Sequence, residues 1–193
     1  MTKRTRQSTP STDEQIAAAT VGEPDRINAP IQLAQPDPAW PDMFAREALR
    51  ICSVLGDRVH LLEHVGSTSI PGLPAKPIID IVMAATDSAD ESSYVLPLEQ
   101  AGYSLRIREP HWHEHRVLKG PDTDVNLHVF TIGSPEIERM IGFRDHLRNN
   151  PEDLARYAQT KAELAGRTWK YVQNYADAKS AVIEAIISRA LPT

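Results

Sequence analysis

Apolar positions recur at helical spacing through Trp40, Met43, Phe44, Ala48, Ile51, Val54 and Leu55. Proline near the start and Gly56 at the end bound one amphipathic helix. Residues 59–65 (VHLLEHV) then read as a strand, and 78–84 (IIDIVMA) as a buried one interrupted by a single carboxylate. Residues 90–101 predict a short helix closed by Gly102, and 103–109 alternates as a strand. The segments 113–119 and 124–130 flank GPDT and predict an antiparallel hairpin. Ser134-Pro135 and Asn150-Pro151 each place a capping residue before a proline at the first helical position. Three helices are expected after them, over roughly 135–149, 151–166 and 169–190. Strands first and helices last argue for an α+β fold, with a mixed sheet, flanking helices and a C-terminal helical bundle.

The remaining segment, residues 1–29, is rich in Ser, Thr, Ala, Pro and charge without a sustained apolar period, and reads as a disordered tail before one domain over 30–193. A chain of 193 residues is long enough for a self-sufficient core. No apolar run approaches the ~20 residues that span a bilayer, so no membrane partner is expected. The basic start MTKRTRQSTP lacks a following apolar stretch, which argues against secretion. A single cysteine, Cys52, forms no internal disulfide and suits a reducing cytoplasm. The net charge of -5 disfavours a general nucleic-acid coat.

Candidate chemistry concentrates in HVGSTSIPGLPAKPIIDIVM. A strand leads into Gly66, Ser67, Thr68 and Ser69, small residues whose backbone N–H groups and hydroxyls can approach an anion closely. Lys76 adds a positive charge, and the next strand carries Asp80. A carboxylate in an apolar run is costly to bury unless it is paired, hydrogen-bonded or metal-bound. Asp80 therefore either caps loop amides or belongs to a site. The loop is not a P-loop: GxxxxGK[ST] is absent and no helix follows directly.

HVGSTSIPGLPAKPIIDI resembles the signature of the GrpB family of bacterial proteins. The resemblance extends through IQLAQPDPAWPDMF, NLHVF, FRDHLRNNPEDLARYAQTKAELA and NYADAKSAVIEAI, covering residues 30–190. It implies a nucleotidyltransferase-like fold of the polymerase β type, in which a Gly-Ser pair holds nucleotide phosphates and a carboxylate pair on the following strand holds divalent metal. Twelve residues, 68–79, separate Ser67 from Asp80, as that pattern asks. The second carboxylate position holds Val82, so the pair is reduced to one. The resemblance implies an NTP and a small-molecule acceptor as partners, Mg²⁺ or Mn²⁺ as cofactor, and Asp80 as metal ligand or base. GrpB-like domains also occur fused to a dephospho-CoA kinase, which gives an accessory-domain alternative. A non-catalytic phosphoryl-ligand-binding module is the other alternative.

Further candidates surround this motif. His111, His113 and His115 share a parity, so an extended strand places at least two on one face. Asp124, Asn126 and His128 share a parity opposite to Val125, Leu127 and Val129, which nominates His128 as a catalytic residue beside Asp80. Lys161 falls on the stripe Leu154, Tyr157, Leu164, and Lys179 on the stripe Val172, Ala176, Ile183, Ile186. Each lysine either snorkels at the core edge or closes over an anion. Arg144 and Arg148 can join them or pair with Asp145 and Glu152. His64 sits nearer the loop than Glu63, and Trp112 and Trp169 can stack a base or fill the core.

Overall fold

The computed structural model describes residues 10–122 and 124–191; the first nine residues of the expected tail and Thr123 of the GPDT turn lie outside them. Helix α1 (Asp13–Ala19) and strand β1 (Arg26–Ala29) come first, followed by α2 (Trp40–Leu55). The central sheet holds β2 (Leu61–Val65), β3 (Ile79–Ala85), β4 (Ser104–Glu109), β5 (His115–Lys119) and β6 (Val125–Thr131), with α3 (Val95–Gln100) before β4. Helices α4 (Pro135–Asn149) and α5 (Pro151–Ala165) follow, then β7 (Trp169–Tyr171), α6 (Val172–Ala178) and α7 (Ser180–Ala190). The strand order is β2-β3-β6-β5-β4, with β3 and β6 parallel and the other neighbours antiparallel. The expected α+β class with a mixed sheet is what forms.

The period of two sorts the sheet's residues between its faces. Ile79, Ile81 and Met83 of β3 join Val125, Leu127 and Val129 of β6 on one face, against Trp40, Ile51 and Leu55 of α2 and Leu98 of α3. On the other face Val82, Ala84 and Phe130 pack on Ile137 of α4. The same face leaves Asp80, Asn126 and His128 beyond that apolar patch, facing a cavity. Asp80 is opposite Asn126 in the β3–β6 register, and Asn126 is opposite Lys119 in β5–β6, so one row of polar groups crosses three strands.

The helical half is fastened by Asp153, buried at the start of α5. His146 of α4 contacts its Oδ2 at 2.7 Å and Arg189 of α7 donates to both of its oxygens. The Asn150 side chain caps α5 by accepting from the Asp153 N–H at 3.0 Å, as the Asn-Pro pair foretold.

Two expectations need correction. The helix expected over 169–190 is three elements, because Trp169–Tyr171 is drawn into a two-stranded antiparallel sheet with β1, and the helical ladder breaks at Lys179, whose N–H bonds Ala176 three residues back. The tail expected over 1–29 is structured from α1 onward. A capping box between Thr12 and Gln15 starts α1, Ile16 is 8% exposed, and the Val21 N–H bonds the Arg106 carbonyl at 2.8 Å. One buried side chain plus backbone pairing leaves no periodic trace, which is why composition read this segment as a tail.

Candidate functional site

Strand β2 delivers the chain to Gly66, whose φ of +67° is the left-handed region that glycine occupies without strain. Its lack of a side chain has a second use: a Cβ here would lie 2.3 Å from Asp80 Oδ2. The carboxylate is thus seated against the loop backbone. Its other oxygen accepts from Asn126 Nδ2 at 2.7 Å, and His128 Nε2 lies 3.6 Å away. Burial alone would push the Asp80 carboxyl up. Contact with His128, the Asn126 amide and the Lys179 charge more than offset that and hold it below the ordinary carboxylate value.

From His128 a chain of contacts runs along the sheet. His128 Nδ1 meets His115 Nε2 at 3.0 Å, and His115 Nδ1 meets Glu109 Oε2 at 2.7 Å. The imidazole rings are 7° from parallel, and Phe130 stacks on His115. An ionised carboxylate only accepts, so Glu109 fixes the direction of both bonds when the imidazoles are neutral. His115 then donates from Nδ1 and accepts at Nε2, and His128 donates from Nδ1. His128 Nε2 is left facing the cavity, 3.6 Å from Asp80 Oδ1, where it becomes a donor to that carboxylate once protonated.

The opposite wall carries the lysines. Lys161, 2% exposed, donates to the Pro74 carbonyl at 2.7 Å. Lys179 sits over the Tyr175 ring, 4.3 Å from its centre. Among the described residues no carboxylate is in ion-pair contact with Lys76, Lys161 or Lys179. Burial, reinforced by Lys179, lowers Lys161 to about 7. Burial lowers Lys179 to about 8 despite Asp80, and burial with repulsion from Lys119 lowers Lys76. The Tyr175 hydroxyl, buried in the same cavity wall, has no hydrogen-bond partner among the described residues. The cavity measures about 730 Å³ and is lined by Gly66, Ser67, Lys76, Asp80, His128, Lys161 and Lys179 among others, a size that holds a nucleotide-sized ligand.

The structure thus gathers seven of the nominated residues around one space, and two lie apart. The Thr68 hydroxyl donates to the Ile78 carbonyl and contacts His64 Nε2 at 3.0 Å, while the Ser69 hydroxyl donates to the Gly66 carbonyl. Both brace the loop, so any phosphate contact falls to Gly66, Ser67 and backbone N–H groups. Buried and stacked on Phe44, His64 belongs to this brace, and burial holds its imidazole down at about 4. Arg144 pairs with Glu63 and Asp145, and Arg148 donates to the Ser69 carbonyl from behind. Only His115 of the three parity-matched histidines is on the strand, because His113 and Glu114 turn the chain with positive φ; His111 still reaches the cavity wall. Trp112 lines the cavity against Phe130, whereas Trp169 donates to the Leu164 carbonyl in the core.

Sequence reasoning missed Glu109, Tyr175 and the cavity wall formed by α1. Glu109 was within reach: it stands directly opposite His115 in the β4–β5 register, on two strands the pattern had already predicted.

A divalent ion of the magnesium type asks for several hard oxygen donors in near-octahedral array. Val82, at the second carboxylate position, is fully buried beside Val65, Phe130 and Ile137. Asp80 has one oxygen hydrogen-bonded to Asn126 and near His128, the other seated against Gly66, and it feels the Lys179 charge. Among the described residues no three His, Cys, Asp or Glu side chains are grouped to hold a metal. The donor set does not fit Mg²⁺ or Mn²⁺ on Asp80, and no step below passes through one. Among the described residues no helix is long and apolar enough to cross a membrane.

Comparison with known proteins agrees with this architecture. Residues 30–189 match the family model described as GrpB protein. The chain is 58% identical over 191 residues, 99% of its length and 98% of the relative, to UPF0157 protein BH1888 of Halalkalibacterium halodurans. It is 30% identical to a dephospho-CoA kinase of Mycolicibacterium paratuberculosis over 72% of this chain and 40% of that protein. The crystal structure of the conserved protein GrpB from Enterococcus faecalis superposes with a TM-score of 0.73 at 29% identity, over 83% of this chain and 97% of that one. The chain belongs to the GrpB family.

Proposed function

We propose that the cavity binds an NTP by its polyphosphate and transfers the nucleotidyl group to a small-molecule acceptor. The observation that carries this reading is the convergence, on a glycine-serine loop, of lysines that have no ion-paired carboxylate among the described residues, beside a histidine whose Nε2 faces the cavity and Asp80. The acceptor's hydroxyl or amine proton passes to His128 Nε2, and its oxygen or nitrogen forms a bond to the α-phosphorus. The bond from that phosphorus to the bridging oxygen breaks, and pyrophosphate leaves with its charge met by Lys76, Lys161 and Lys179. The imidazolium formed on His128 then faces the Asp80 carboxylate, which stabilises it, while Glu109 and His115 hold the ring in place.

A second reading has its own support. Val82 removes the carboxylate pair, and a site so altered can hold a phosphoryl ligand without turnover. Relatives named dephospho-CoA kinase carry this domain beside other sequence, which suits either a transferase or a ligand-holding module.

The four NTPs incubated with the protein and a metabolite extract, assayed for pyrophosphate release, separate the two. The transferase reading expects release that falls about 10²–10⁴-fold in Asp80→Asn and His128→Gln. NTP binding without release leaves the ligand-holding reading.

A further inference from the structure

A polyphosphate bound in a protein needs its charge compensated, and a divalent ion usually supplies part of that. Here the compensation is already built in. Lys161 is anchored on the Pro74 carbonyl and Lys179 on the Tyr175 ring, so both ammonium groups are positioned before any ligand arrives. Lys76 approaches from the loop that also carries Gly66 and Ser67. None of the three has an ion-paired carboxylate among the described residues. Lys161 and Lys179 feel the charge of Asp80, and Lys76 feels Asp124 and then Asp80; Asp80 is occupied by Asn126 and seated on Gly66. The buried Tyr175 hydroxyl adds a donor that lacks an acceptor among the described residues. Burial has already cost these amines part of their charge, and the repulsion between Lys161 and Lys179 adds to that cost. An anion between them relieves both.

We propose that Lys76, Lys161 and Lys179 occupy the place of the divalent metal, so that the site takes the polyphosphate as the metal-free anion and discriminates against its Mg²⁺ chelate. This rests on the reading of the cavity as a polyphosphate site and specifies which form of the ligand enters. A chelated Mg²⁺ cancels part of the ligand's negative charge and brings its own positive charge and tightly held waters against three ammonium groups. The sign of the metal effect is therefore reversed relative to a two-metal transferase, where Mg²⁺ tightens binding.

The test is calorimetric titration of the full-length protein with ATP and, separately, with inorganic tripolyphosphate, each in EDTA and in excess Mg²⁺. The expected result is binding of ATP in EDTA that is weakened by Mg²⁺, with Lys179→Met and Lys76→Met each lowering the EDTA affinity about ten- to a hundredfold. Tripolyphosphate binding with the same metal sign places recognition in the phosphate chain; ATP alone binding adds a contact to the nucleoside. Binding that requires Mg²⁺, or EDTA affinity unchanged in both lysine variants, overturns the inference and leaves the polyphosphate reading standing. Absence of binding in both media overturns the polyphosphate reading itself. Thermal melts of each variant confirm that the lysine effect is read on folded protein.

Discussion

The carboxylate of Asp80 rests on the Cα of Gly66, where a Cβ would come within 2.3 Å of Oδ2. The glycine's positive φ and the missing side chain are both used, so backbone turn and carboxylate position are one device. Gly66→Ala strains the turn and evicts Asp80 from its seat. The expected loss in unfolding free energy is about 1–3 kcal/mol from backbone strain alone. Urea denaturation checks this, and NTP affinity should fall in the same variant.

Lys161 gives the protein a distinctive pH dependence. Its folded value of about 7 lies below the ordinary 10.5, so between those limits the unfolded chain binds the proton that the folded chain has lost. The lysine's burden on stability is full below pH 7 and is relieved as pH rises through that window. Unliganded protein should therefore show a melting temperature rising from pH 7 towards pH 9 that flattens in Lys161→Met. Anion binding should draw a proton onto Lys161 and Lys179 at pH 8, visible as buffer-dependent heats of binding.

His64 predicts the same direction at acid pH. Burial lowers it from 6.5 to about 4, so as pH falls through that interval the unfolded state takes up a proton that the folded state refuses. Stability present near neutrality is lost on acidification, on the order of 3 kcal/mol if the whole shift is expressed. His64→Gln should flatten the denaturation midpoint between pH 6.5 and 4.

The sheet and helices were legible because their apolar periods are long and clean, as in the stripe from Trp40 to Leu55 and the run around Asp80. Asp80 and the two stripe lysines were legible for a related reason: each is a polar residue where the pattern asks for an apolar one, while His128 was legible by its parity with Asp124 and Asn126 and the loop by its run of small residues. What stayed hidden depended on tertiary pairing. Thr68 and Ser69 look identical to Ser67 in sequence, and only the loop's curl turns their hydroxyls inward. Strand β7 exists because β1 is there to pair with it, and neither has a pattern of its own.

That pairing makes the N-terminal segment matter. Removing residues 1–29 strips β1 from β7, uncovers the site of Ile16 and opens the cavity wall that α1 supplies. Burying an isoleucine is worth roughly 1.5–3 kcal/mol. The truncated chain should melt several degrees lower than the full chain in a thermal scan, and should bind NTP more weakly.

The central claim is that this cavity is built for a polyphosphate, and thermal stabilisation by ligand tests it most directly. Unfolding is followed in wild type and in the double variant Lys76→Met, Lys179→Met, with millimolar ATP in EDTA. The account predicts that ATP raises the wild-type melting temperature and that the double variant loses this shift while melting no lower than wild type without ligand, since among the described residues neither lysine is ion-paired to a carboxylate that would be left stranded. A wild-type protein whose melting ATP does not change, or a double variant that keeps the full shift, would contradict it.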